Sequence, residues 1–157
     1  MASFLKTSTF RKENNKPAML RRQLAESKPL IVIGAHNGLS SRIGEQEGFD
    51  AIWASSFEIS TSYGLPDNSL LSFDKYLEIV RHINNAVDIP VLVDCDSGFG
   101  DIMNTIRMAY EMERAGMAGI SIEDNPFPKK CSLYEGKRDL ATAEEHANRI
   151  RGIKTAV

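Results

Sequence analysis

Acidic residues recur in this sequence at the places where a βα protein does its chemistry. Asp94 and Asp96 follow one apolar run, Glu123 and Asp124 follow the next, and Asp67 lies in the loop after an earlier one. In parallel α/β folds ligands gather at the carboxyl ends of the strands. Any one of these residues reads as well as a helix N-cap or turn former. Together they demand a cation, because converging carboxylates repel and raise one another's pKa. Mg2+ answers that demand: it takes oxygen ligands and keeps several waters, so that one carboxylate binds directly while others hold the waters. Zinc is disfavoured, since no His or Cys cluster has ligand spacing. Strand alternation puts Asp94 and Asp96 on one side and Cys95 on the other.

The remaining chemistry-bearing residues flank that acidic set. Trp53, Ser55, Ser56 and Phe57 close an apolar run with two hydroxyls and several amides, suited to a carboxylate or carbonyl oxygen. A connection from Asn125 to Gly136 is long for a βα loop, and such loops serve as lids. Lys129 and Lys130 within it would bring positive charge over an acidic mouth, as an anionic substrate requires, although a lysine pair on a loop is commonly just solvated. Cys131 beside them is a candidate acid or base. Gly98 and Gly100 would allow backbone to approach a ligand. Neither a G-x-G-x-x-G nor a Walker A pattern is present, which argues against a dinucleotide enzyme or a P-loop NTPase. His36 ends a strand near the mouth, whereas His82 and His146 fall in helices.

The elements that must position these groups alternate regularly. Ala18–Ala25 forms a short helix on Leu20 and Leu24. Leu30–Ile33 is a β-branched strand ended by Gly34, followed by a helix over Asn37–Glu47 with Leu39 and Ile43 on one face. Phe49–Ala54 is the second strand. After a Ser-rich loop, Ser72 caps a helix with Tyr76, Val80 and Ile83 on one face. Ile89–Val93 is the third strand, and Asp101 opens a helix with Ile102, Ile106, Ala109 and Tyr110 on one side, closed at Gly116. Ala118–Ile122 is the fourth. After Glu123–Ala141, Thr142 and Glu145 form a capping box ahead of a helix with Ala143, Ala147 and Ile150 on one face. Four βα units with strands apolar enough to be covered on both faces require a parallel sheet and right-handed crossovers. The fold class is therefore α/β. Four units make half of a (β/α)8 barrel.

Composition bounds the rest. The 157 residues are 42% hydrophobic and 25% charged, as expected of one globular domain, and a formal charge of −2 gives no general pull toward nucleic acid or an acidic membrane. The longest apolar stretch, Pro29–Ala35, falls far short of the roughly 18 residues of a membrane span. A cytoplasmic location is the default expectation. Residues 1–17 read as a flexible N-terminal segment and 18–157 as the folded domain; Cys95 and Cys131 read as free thiols.

Five blocks carry a resemblance: Gly34–Ser40, Trp53–Phe57, Gly64–Asp67, Asp94–Gly100 and Glu123–Leu133. In this order, at these strand ends, they resemble the phosphoenolpyruvate mutase/isocitrate lyase superfamily over residues 18–155, most of all its phosphoenolpyruvate mutases and phosphonopyruvate hydrolases. The resemblance implies a modified (β/α)8 barrel, of which the domain at 18–157 supplies the N-terminal half, a homo-oligomer formed through a swapped helix, and Mg2+ at the strand ends. It implies that Asp94 binds the metal directly, with Asp96, Glu123 and Asp67 acting through its waters. Ser55, Ser56 and Phe57 would hold the pyruvyl part of a small anionic substrate beside Trp53, with Lys129 near the phosphoryl group and Cys131 and Ser132 on the gating loop. The implied reaction moves a phosphoryl group between carbon and oxygen.

Residue 131 departs from that pattern. The mutases look like Lys-x-Asn-Ser, the hydrolase like Lys-x-Thr-Ser and the lyases like Lys-Lys/Arg-Cys-Gly-His. This chain joins the lyases' Cys to Ser132 and Leu133. Absence of the Gly-His pair favours mutase or hydrolase over a 2-methylisocitrate-type lyase. The family pattern also implies further strands, one of them bearing a substrate-binding Arg, and a half barrel by itself would expose the apolar edge of its sheet. A non-catalytic assembly module is the alternative from a different class.

Overall fold

The computed structural model describes residues 15–157. Four strands, β1 (Val32–Ala35), β2 (Ala51–Ala54), β3 (Val91–Asp94) and β4 (Gly119–Ser121), form one parallel sheet in the order β1-β2-β3-β4. Six helices accompany them: α1 (Lys16–Leu24), α2 (Gly38–Gln46), α3 (Ser56–Ser62), α4 (Phe73–Ala86), α5 (Ile102–Arg114) and α6 (Ala143–Ala156). Sequential strands pair in sequential order, as in a (β/α)8 barrel, and the chain supplies four of its units. The expected flexible segment lies, as far as residue 14, outside the described residues; Lys16 and Pro17 already belong to α1, where proline is tolerated in the first turn. Among the described residues no helix is long and apolar enough to cross a membrane.

The core lies between the sheet and α4 and α5. Ile52, Ala54, Val91 and Val93 from the strands and Cys95 just past β3 meet Tyr76, Val80, Ile83, Met108 and Met112 from the helices. Five of the helix starts are written in local chemistry, α3 among them through Ser55. Asn37, Ser72, Asp101 and Thr142 accept hydrogen bonds from the exposed first-turn amides, and Thr142 with Glu145 makes the expected capping box.

Strand and helix order agrees with the sequence, but several faces do not. The first strand runs through Gly34 to Ala35 instead of ending at Gly34. The Ser-rich stretch after β2 is not a loop: it forms α3, because Ser55 caps Glu58 N and Glu58 lies in the first turn. In α2 the apolar pair faces outward, Leu39 at 57% and Ile43 at 50% exposure, while Ser41 and Gly44 are buried. A Cβ at Gly44 would stand 2.6 Å from Ile33 Cγ2, so the small residue decides which face meets the sheet.

On α5, Thr105, Met108, Ala109 and Met112 are buried, whereas Ile102 and Ile106 pack toward Gly152 of α6 and Tyr110 is exposed. α6 buries Ile153, not the expected Ala143, Ala147 and Ile150 face. Ile31, just before β1, and Leu39 and Ile43 of α2 are exposed apolar side chains on this side of the sheet.

Candidate active site

The acidic residues meet at one mouth, at the carboxyl ends of β2, β3 and β4. Their meeting point is a lysine. Lys129 Nζ lies 2.9 Å from Asp67 Oδ2, 3.0 Å from Asp96 Oδ1 and 3.1 Å from Glu123 Oε1, and is 3.3 Å from Ser56 Oγ. Its side chain is 7% exposed. Burial works against the charged ammonium, but the hydrogen bonds it donates to Asp67 and Asp96 and the field of Asp96 and Asp94 overcome it and raise its pKa above the ordinary lysine value. The cation required by the carboxylates is thus supplied, in this arrangement, by the chain's own long loop.

Asp94 closes the cluster on its inner side. Its Oδ2 accepts from Ser56 Oγ at 2.8 Å and from Ser56 N at 3.4 Å, and its Oδ1 accepts from Asp96 N at 3.2 Å. Burial is the largest influence on its carboxyl and raises its pKa, with the Ser56 hydroxyl and Lys129 pulling the other way. Beneath it, the buried Tyr76 hydroxyl donates to the Asp94 carbonyl and lies 3.3 Å from the Ala54 carbonyl, so one side chain ties the ends of β2 and β3 together. Burial pushes the Tyr76 phenol well above its usual pKa, which keeps it a donor.

The β3 loop owes its shape to positive φ. Asp96 (φ 47°) and Phe99 (φ 61°) adopt left-handed backbone that non-glycine residues visit rarely. Phe99 is pinned against Phe73 and Tyr76, each with ring centroids 5.2 Å away. Gly98 and Gly100 have a use within the fold itself. Cβ atoms there would lie 2.2 Å from Thr105 Oγ1 and 2.4 Å from Asn104 Nδ2, so these glycines let the loop fold back onto the start of α5. The neighbouring loops are bonded to this one: Ser69 Oγ donates to Asp96 Oδ2 at 3.1 Å, and Glu123 N donates to the Asp96 carbonyl at 2.7 Å.

The other sequence candidates divide. Asp67, Asp94, Asp96, Glu123, Lys129 and Ser56 form the cluster. Ser55 is buried, its oxygen accepting from Glu58 N at 3.2 Å as a helix cap. Trp53 is half-buried in a cross-strand row with Gly34, Leu92 and Gly119. Phe57 is 42% exposed and Ser132 is exposed, so neither is enclosed by the described residues. Cys131 is buried, its backbone N donating to Asn68 Oδ1 at 2.7 Å, and Cys95 is a core thiol; neither is in a disulfide. His36 stands 3.7 Å from Glu58 and outside the acidic cluster. Sequence reasoning missed Ser69, Asn68 and the tyrosine support. Tyr76 was legible only as an apolar helix face, and nothing local signals that its hydroxyl reaches two strand ends.

The donor set is all oxygen, four carboxylates and two hydroxyls, which suits a hard divalent ion and not zinc. Among the described residues no three His, Cys, Asp or Glu side chains form a ready metal cage. Mg2+ asks for less than a cage, being held by one or two carboxylates and water.

Comparison with known proteins points the same way. The family model described as phosphoenolpyruvate phosphomutase matches residues 20–157. Phosphonopyruvate hydrolase of Variovorax sp. (strain Pal2) is 38% identical over 90% of this chain and 49% of its own length, and phosphoenolpyruvate phosphomutase of Tetrahymena pyriformis is 33% identical over 98% and 51%. A 2-methylisocitrate lyase of Bacillus subtilis (strain 168) is 36% identical over 87% and 45%. Among solved structures, phosphoenolpyruvate phosphomutase from Streptomyces platensis subsp. rosaceus superposes with a TM-score of 0.87 at 40% identity, covering 89% of this chain and 49% of that one. A phosphonopyruvate hydrolase in complex with oxalate and Mg2+ gives 0.82 at 36%, covering 90% and 48%. The chain spans about half the length of the relatives it matches. A four-unit parallel α/β sheet with its acidic residues gathered at one mouth, and a match of this extent, place the chain in the phosphoenolpyruvate phosphomutase family, within the phosphoenolpyruvate mutase/isocitrate lyase superfamily.

Proposed function

We propose that the protein works as a Mg2+-dependent phosphoenolpyruvate mutase, interconverting phosphonopyruvate and phosphoenolpyruvate. One observation carries the reading: carboxylates from three separate loops converge with Lys129 and Ser56 in a single mouth, where an oxyacid and a hard cation can be held together. Asp94, Asp96 and Glu123 are the residues that would hold the metal, and Mg2+ supplies neutralisation of an oxyacid's charge. The chain's own groups do the rest. Ser56 orients Asp94, and the Ser55–Phe57 turn at the start of α3 receives the carboxylate end of the substrate beside Trp53. Lys129 exchanges a carboxylate partner for the phosphoryl oxygens, and Asp67, next to it, is the anionic group facing the phosphoryl centre. The lid bearing Cys131 and Ser132 excludes water, so the phosphoryl group is returned to carbon or oxygen instead of being lost to hydrolysis.

The test is phosphorus NMR of phosphonopyruvate with the protein and Mg2+. A new phosphate-ester resonance is expected. Free phosphate with pyruvate identifies a phosphonopyruvate hydrolase instead, and no turnover by a version spanning the whole barrel removes the assignment. A carbon–carbon lyase of 2-methylisocitrate type is the second reading, favoured by Cys131, a buried thiol on the lid two residues after Lys129. Release of pyruvate or glyoxylate from the corresponding acids identifies it.

A further inference from the structure

Two loops that lie far apart in sequence are fastened to each other twice over the acidic mouth. One fastening is the ion pair of Lys129 with Asp67. The other joins the very next residue, Asn68, to the backbone two positions on, where Cys131 N donates to Asn68 Oδ1 at 2.7 Å. The base of the long loop is bonded by Glu123 N to the Asp96 carbonyl, by Ala141 N to the Asp124 carbonyl and by Arg149 to the Asn125 carbonyl. The tip bonds within itself, Tyr134 N to the Cys131 carbonyl. Among the described residues, the Asn68 bond is the one that ties the tip's backbone to another element.

Asn68 is itself held rigidly. Its N–H donates to the Pro66 carbonyl at 2.9 Å, and the next residue, Ser69, turns at φ 55° and bonds Asp96. From this anchored backbone the carboxamide oxygen meets a partly buried N–H that would otherwise lack a partner when the loop lies down. We infer that Asn68 is the catch of the lid: its side-chain oxygen holds the loop over the mouth and so seats Lys129 among the carboxylates. It is a positioning residue that touches no reacting atom, and it performs this task whichever reaction the site supports.

Chemical labelling reads the catch without turnover, so its failure and the failure of the proposed reaction are separable. Lys129 and Cys131 are 7% and 4% exposed with the lid down, so both react only from the open form, whose population sets the rate. Lys130, exposed on the same loop, and Cys95, in the core, are internal controls. The purified chain is treated with iodoacetamide or an acetylating reagent, and site-specific rates are read by peptide mass spectrometry.

Asn68→Ala is expected to raise modification of both Cys131 and Lys129 about tenfold, the effect of losing one hydrogen bond of about 1.4 kcal/mol. Lys130 and Cys95 should keep their rates. Asn68→Asp retains an acceptor oxygen and should label as slowly as the parent. Unchanged Cys131 and Lys129 rates in Asn68→Ala overturn the inference. So does an equal rise at Cys95, which reports general loosening, or an Asn68→Asp chain that labels as fast as Asn68→Ala.

Discussion

Replacing Lys129 with methionine tests the electrostatics of the mouth directly. Methionine keeps the length and apolar stem of lysine but leaves the carboxylates without their counter-charge. Breaking a buried ion pair by removing one partner costs about 3–5 kcal/mol. Glu123 is a third exposed, so water screens it, and the burden falls on Asp67 and Asp96, whose side chains are 6% and 5% exposed. The lower end, about 3 kcal/mol, is the expected loss at pH 7.5 in EDTA. For a chain of this size that is roughly 6–12 °C in Tm.

The pH dependence carries a sign. The folded pKa of Lys129 is raised, so in the parent its contribution is complete below the ordinary lysine value and is lost only as pH rises through that raised value. Between pH 5 and 8 the parent contribution is therefore flat. In Lys129→Met the carboxylates face one another without a counter-charge, and that repulsion is relieved in acid, so the variant regains stability as pH falls. The gap between the two proteins should narrow on acidification. Millimolar Mg2+ should narrow it at pH 7.5, because it supplies the same positive charge. Urea denaturation across pH, with and without Mg2+, measures all three. A variant as stable as the parent at pH 7.5, or a gap that does not shrink at low pH, would falsify the charge-neutralisation argument.

Two further substitutions probe the same mouth. Burial, the largest influence on Asp94, raises its folded pKa, so its ionised form opposes folding and stability falls as pH rises through that value. Asp94→Asn should therefore raise Tm at pH 7.5 in EDTA and flatten the acid side of the stability profile. It should also abolish the Mg2+-induced rise of the parent, about 3–6 °C at a metal concentration ten times Kd; differential scanning fluorimetry in EDTA and in Mg2+ checks both. Tyr76→Phe removes a hydroxyl that bonds the Asp94 carbonyl and reaches toward that of Ala54, leaving buried acceptors unpaired. A loss of about 1–3 kcal/mol in urea denaturation is expected, together with weaker Mg2+ stabilisation; a fully stable variant with unchanged Mg2+ response would remove the tyrosine from the support of the site.

How much of this was legible follows from which interactions are local. Strands were readable because short apolar, β-branched runs such as Leu30–Ile33 and Ile89–Val93 stand out between polar segments, and starts at Ser72, Asp101 and Thr142 because a cap is a contact across two or three residues. What failed depends on neighbours distant in sequence. In α3 the serines conceal a helix that Ser55 and Glu58 start, and in α2 the apolar spacing of Leu39 and Ile43 points away from the face that Gly44 lays against Ile33. Helical periodicity identifies a stripe, but it does not say which stripe the sheet will accept.

The acidic cluster shows the same division at the level of charge. Asp94, Asp96 and Glu123 were identifiable because they stand at or just past strand ends, which converge in a parallel sheet, and Asp67 because it lies in the connection between β2 and β3. Their convergence entails a positive partner, since carboxylates at hydrogen-bonding distance from one centre cannot all remain ionised without one. That requirement is fixed by the sequence pattern; the identity of the partner is not. A divalent ion and an ammonium on a returning loop satisfy it equally, and only the placement of a connection many residues long decides that Lys129 reaches three of the carboxylates at once. The lid and the acidic mouth are therefore one electrostatic unit: a substitution that frees the loop exposes the carboxylates' repulsion, and a cation delivered to the carboxylates loosens the loop's hold.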